Sequence, residues 1–129
     1  MHEAADIVTE AELEKLIPAF YARVRADALI GPLFNAAVED WDEHLGKLTA
    51  FWSSVMLTTG RYKGSPMAAH LRHGDALTPG MFDRWLSIWA EATADLLPEA
   101  VATGLQARAA RIAESLQLGI QFHPGARAA

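Results

Sequence analysis

The chain of 129 residues contains no cysteine. That one absence removes disulfide frameworks, thiolate zinc sites, iron–sulfur clusters and cysteine nucleophiles together. Long apolar runs are missing too, so nothing in the sequence approaches the length a helix needs to cross a bilayer. The N-terminal stretch MHEAADIVTEAELEKL is acidic where a secretory signal would be basic, and a cytoplasmic protein with no membrane partner is expected. Basic stripes, repeats and low-complexity segments are absent. A net charge of −5 argues against nucleic acid as a partner, because such binding rests on neutralising phosphates. There is no glycine-rich phosphate loop, no Gly-x-Ser-x-Gly elbow and no His-Glu-x-x-His pair, so hydrolase mechanisms have little to stand on.

With 51% hydrophobic and 21% charged residues, the composition is that of a globular protein. Its length suits one domain over residues 1–129, with residues 1–8 and 122–129 expected as flexible tails. Apolar residues recur at helical spacing throughout and nowhere alternate, which predicts an all-α fold. Thr9-x-x-Glu12 is a capping-box pattern, followed by a stripe of Leu13, Leu16, Ile17, Phe20, Tyr21 and Val24. Pro18 interrupts that stripe, so a kink or two abutting helices is expected there. Gly31-Pro32 closes the segment and PLFN is expected as a tight corner. A second helix starts at Asp40, with Glu43 as capping partner, and carries Trp41, His44, Leu45, Leu48, Phe51, Trp52, Val55 and Met56. Ser65-Pro66 announces a short helix holding Met67, His70 and Leu71; Thr78-Pro79 announces a longer one. The longer helix is expected to turn Phe82, Trp85, Leu86, Trp89, Ala92 and Leu96 inward. Pro98 opens the last helix, with Leu105, Ala109, Ile112, Ala113 and Leu116 facing the core.

Tyr21, His44 and Trp85 each bring a polar tip onto an otherwise apolar stripe. Taken singly, each reads as a core residue satisfied by a backbone partner. Together with His70 on a fourth element, they make packing alone a less comfortable explanation. A neutral imidazole at His70 is a good ligand for iron, zinc or copper if its other nitrogen finds an acceptor. His73, next to Arg72 and Asp75, is expected on a solvated face without a role. A di-iron carboxylate bundle is excluded because no Glu-x-x-His motif exists. A zinc site from His70, His73 and His44 is conceivable but poorly suited to its surroundings. Haem suits better: one proximal histidine, and walls drawn from Phe20, Phe34, Leu48, Phe51, Phe82 and Trp85. On residues alone, two alternatives stay open: a cofactor-free helical interaction domain and a histidine-bound zinc protein.

The segments FYARVRADALIGPLF, WDEHLGKLTAFWSSVMLTTGRYKGSPMAAH and MFDRWLSIW, in that order, resemble the truncated haemoglobins, most closely their group III branch. The carrying signals are Phe-Tyr, Trp-x-x-His, Phe-Trp, Tyr-x-Gly-x-Pro-x-x-x-His and Trp-Leu, and RIAESLQLG is similar to that family's last helix. The resemblance implies a two-over-two helical sandwich holding haem b, with His70 as the proximal iron ligand. It implies Tyr21 and Trp85 as distal donors, His44 as the distal-helix histidine and Lys47 as a basic residue near a propionate. Dioxygen, nitric oxide and carbon monoxide would be the small ligands, with a reductase or other electron donor as partner. Hydrogen bonds from two donors to a partly charged ligand, at about 1.5–3 kcal/mol each, predict tight oxygen binding. Such retention suits nitric oxide or peroxide redox chemistry better than oxygen transport.

Overall fold

The computed structural model describes residues 7–74 and 76–122; Asp75, and with it part of the expected solvated face of His73, lies outside the described residues. So do most of the two expected tails. Among the described residues there are six helices and no strand: α1 (Glu10–Ala26), α2 (Gly31–Ala37), α3 (Trp41–Leu57), α4 (Pro66–Leu71), α5 (Pro79–Leu96) and α6 (Glu99–Gln121). α1 packs on α3 and α5 packs on α6; α1 also meets α5, which joins the two pairs into a two-over-two sandwich. The short α4 leans on α6.

Local side-chain chemistry places the helix starts. The Thr9 hydroxyl accepts from the Glu12 amide at 3.1 Å, and the Glu12 carboxylate accepts from the Thr9 amide at 2.9 Å. Val8, expected in a tail, is instead buried in the same cluster as Leu13, the two positions of a hydrophobic staple. Asp40 caps α3, Ser65 caps α4 and Thr78 caps α5, each by accepting one amide of its first turn. α3 stops where Thr58 turns left-handed at φ 56°, and Gly60 follows at φ 70°.

Several expectations are corrected. α1 runs through Pro18 as one helix rather than as two abutting ones. Pro18 and Glu14 are both exposed, so the carbonyl left without its amide partner lies on the solvent side, while Leu13, Leu16, Ile17 and Phe20 hold both halves to one core. Nor does PLFN form a corner: Pro32, in the first turn, opens the helix α2. The corner lies one step earlier, where Asp27 accepts the Leu29 and Ile30 amides at 3.0 and 3.1 Å. Its other oxygen takes the Arg84 guanidinium at 2.7 Å, which fastens this corner to α5. Gly31 is required there, since a Cβ would sit 2.6 Å from the Arg25 carbonyl oxygen. Leu96, expected inward, is 47% exposed at the end of α5.

At the centre lies Trp89, fully buried, with its indole N–H donating to the Leu105 carbonyl at 3.2 Å. Phe20 meets its ring edge-on at 4.8 Å. Among the described residues no helix is long and apolar enough to cross a membrane.

Candidate functional site

The helices leave a cavity of about 530 Å³, within the range of small-molecule and cofactor sites. Tyr21 reaches it from α1, Phe34 from α2, His44, Lys47 and Phe51 from α3, His70 from α4, and Phe82 and Trp85 from α5. Four separate elements therefore bring the polar-tipped residues singled out above to one space. Two of the expected wall residues do not line it. Leu48 packs against the main core cluster, and Phe20 lies behind the wall, edge-on to Tyr21 at 4.7 Å and to Trp85 at 5.4 Å.

His70 is held in one orientation. Its Nδ1 lies 2.7 Å from the Pro66 carbonyl oxygen. A carbonyl can only accept, so Nδ1 carries the proton and the lone pair is left on Nε2. Such a hydrogen bond from the other ring nitrogen is how metal-binding histidines are oriented. Burial also pushes the His70 pKa below its ordinary value, against the Pro66 bond, so the ring is neutral at pH 7. Six residues of helix, started by the Ser65 cap and Pro66, are enough to present it.

Tyr21 is almost fully buried against Phe34, Trp41 and His44, with ring centroids 5.8, 6.0 and 6.4 Å away. Burial pushes its phenol pKa well up, only partly offset by the Trp85 indole beside it. The hydroxyl thus keeps its proton and remains a donor. The pKa of His44 is lowered by burial and then by the Lys47 charge, so it too is neutral. Lys47 lies at the mouth, where its ammonium pairs with Glu43 at 3.1 Å. Both partners are largely exposed, so that pair contributes little stability and leaves Lys47 free to re-pair.

Several lining residues were not singled out in the sequence. Tyr62 falls in a loop that reads as a connector, yet its amide donates to the Ser54 hydroxyl at 2.8 Å and its ring meets Phe51 at 5.4 Å. Arg72 and His73 are exposed as expected but also border the cavity. Their position two and three residues past His70 was the available signal. Trp41 does not line the cavity but packs on Tyr21, which does, with the Arg25 guanidinium 4.5 Å above its ring.

A flat, largely apolar cofactor with an anionic edge fits this donor set. The walls are aromatic and aliphatic, one oriented neutral imidazole offers a lone pair, and Lys47, Arg72 and His73 border the opening. Among the described residues no three His, Asp or Glu side chains gather to hold a bare metal ion.

None of the protein-family models matches the chain. The group 3 truncated hemoglobin ctb of Campylobacter jejuni is 32% identical over 119 residues, which cover 87% of this chain and 91% of that protein. The crystal structure of group III truncated hemoglobin from Campylobacter jejuni superposes with a TM-score of 0.77 at 32% identity, covering 88% of this chain and 91% of the other. With that identity across nearly the whole of both chains, and with the same two-over-two helices, the chain belongs to the group III truncated haemoglobins.

Proposed function

We propose that the protein binds haem b through His70 and retains dioxygen and other diatomic ligands for redox reaction rather than for transport. The observation that carries this reading is the His70 side chain: neutral, oriented by Pro66 at 2.7 Å, and lining the same cavity as Tyr21 and Trp85. Haem, if held there, would supply an iron able to take dioxygen, nitric oxide or carbon monoxide.

The residues of the chain do the rest. His70 would hold the iron through Nε2, and its Nδ1–H bond to Pro66 keeps the ring from turning. Phe34, Phe51 and Phe82 exclude water from the faces of the ring system. Lys47 and Arg72 neutralise the propionates at the mouth, and His73 borders them. On the distal side, Tyr21 O–H and Trp85 N–H donate to a ligand that carries partial negative charge. His44 contributes a neutral imidazole beside Tyr21. Hydrogen bonds to such a ligand stabilise it by about 1.5–3 kcal/mol each, which favours slow release. An external electron donor keeps the site reduced, and we assign the protein to the cytoplasm, where such donors are available. Slow release in turn favours reaction with nitric oxide or with a peroxide.

Titration of the full chain with hemin tests the reading. One equivalent should give an intense near-ultraviolet band that shifts on reduction and again with carbon monoxide. A chain that leaves hemin in its free form refutes it, and a cofactor-free helical domain would take its place.

A further inference from the structure

Three of the four tryptophans form a column. Trp52 stacks on Trp89 at 4.5 Å with 19° between the planes, and Trp89 stacks on Trp85 at 5.6 Å with 6°. The two outer rings line the cavity, while the middle one has no exposure at all. Filling a core requires bulk, which aliphatic side chains supply as well. It does not require three near-parallel, offset indole rings in contact, the two outer ones at the cavity wall. Indole is among the side chains most readily oxidised by one electron, and parallel contact gives the overlap that electron exchange needs.

We propose that Trp85, Trp89 and Trp52 form an electron relay that supplies single electrons to a hydroperoxide reduced in the cavity. The inference rests on the haem reading above. Reducing a hydroperoxide breaks its O–O bond and takes two electrons and two protons, releasing one alcohol and one water. With a small phenol as reductant, one hydroperoxide and two phenols give one alcohol, one water and two phenoxyl radicals. Each electron crosses the column singly, and each phenol loses one electron and one proton. Between those steps the column carries a tryptophan radical cation.

The environment of Trp89 suits that species. A positive charge on its ring lies beside two near-parallel indole rings, the contact by which aromatic rings stabilise cations. Its N–H donates to the Leu105 carbonyl, which is no base, so the proton stays and the ring is re-reduced without proton transfer. Full burial keeps water and dioxygen from the ring carbons. Tyr21 is a poorer site for the hole, because oxidising a phenol requires loss of its proton and burial opposes that loss.

The test uses the full chain loaded with hemin and checked by its visible band, then mixed with hydrogen peroxide and freeze-quenched for electron paramagnetic resonance. The expected radical signal narrows when the tryptophans are indole-deuterated. In Trp89→Phe its yield falls at least tenfold while the hemin band is unchanged. Ring-fluorinated tryptophan, which packs alike but resists oxidation, should give the same loss even if Trp89→Phe does not fold. A signal insensitive to indole deuteration, or a yield unchanged by fluorination, overturns the relay and leaves haem binding standing. Failure to take up hemin, seen before peroxide is added, overturns both.

Discussion

Tyr21→Phe removes one oxygen atom from the distal wall and almost nothing else. The ring contacts with Phe20 at 4.7 Å, Phe34 at 5.8 Å and Trp41 at 6.0 Å persist, so the variant should fold and load hemin like the parent. What is lost is a donor that burial keeps protonated. A hydrogen bond to a partly charged ligand is worth about 1.5–3 kcal/mol. At about 1.4 kcal/mol per decade, oxygen should leave the variant roughly ten- to a hundredfold faster. Stopped-flow displacement of oxygen by excess carbon monoxide reads that rate directly. Carbon monoxide accumulates little charge on its outer atom, so its own dissociation should change far less. In the double variant with Trp85→Phe, the two effects should be non-additive if both tips donate to one ligand. An unchanged oxygen rate in a folded, hemin-loaded Tyr21→Phe would remove Tyr21 from the distal donors.

Asp27→Asn should lower the urea midpoint. The Asp27 carboxyl is held below its ordinary 3.8 mainly by the Arg84 guanidinium, with the Ile30 amide adding to it. Because the folded-state pKa is the lower one, its contribution is present above about pH 3.8 and disappears as pH falls through the folded value. The gap between parent and variant should therefore close in the acid limb, and a gap constant to the lowest pH would contradict the assignment. Gly31→Ala should be destabilising, since its Cβ would stand 2.6 Å from the Arg25 carbonyl oxygen, so that backbone must shift. We expect a cost of about 1–3 kcal/mol, typical of overpacking, in equilibrium urea unfolding; unchanged stability would mean the α1–α2 corner opens readily.

The parts of this fold legible in the sequence are those decided within one turn of helix. Thr9, Asp40, Ser65 and Thr78 each cap the helix they announce, because a side-chain oxygen and an amide three residues on need no tertiary partner. The apolar stripes of α1 and α6 likewise mark what is buried. Pro18 misleads, because its cost depends on which side of the helix faces water. Leu48 misleads for a related reason: a stripe shows that a residue turns inward, not whether it meets the core or the cavity. Tyr62, Arg72 and His73 reach the cavity only because the α3–α4 connection and the end of α4 fold back against it, a tertiary fact without local signal. His70, by contrast, stood out because it adds a fourth element to the polar-tipped set of Tyr21, His44 and Trp85, and because its Tyr-x-Gly-x-Pro-x-x-x-His spacing resembles the truncated haemoglobins.

The central claim is that Nε2 of His70 binds haem iron, and His70→Gly tests it most directly. The glycine variant should take up hemin weakly and without an iron–histidine stretching band in resonance Raman spectra of the reduced form. Added free imidazole should restore both uptake and an iron–imidazole band. A glycine variant that binds hemin as tightly as the parent and keeps its iron–histidine band would contradict the claim.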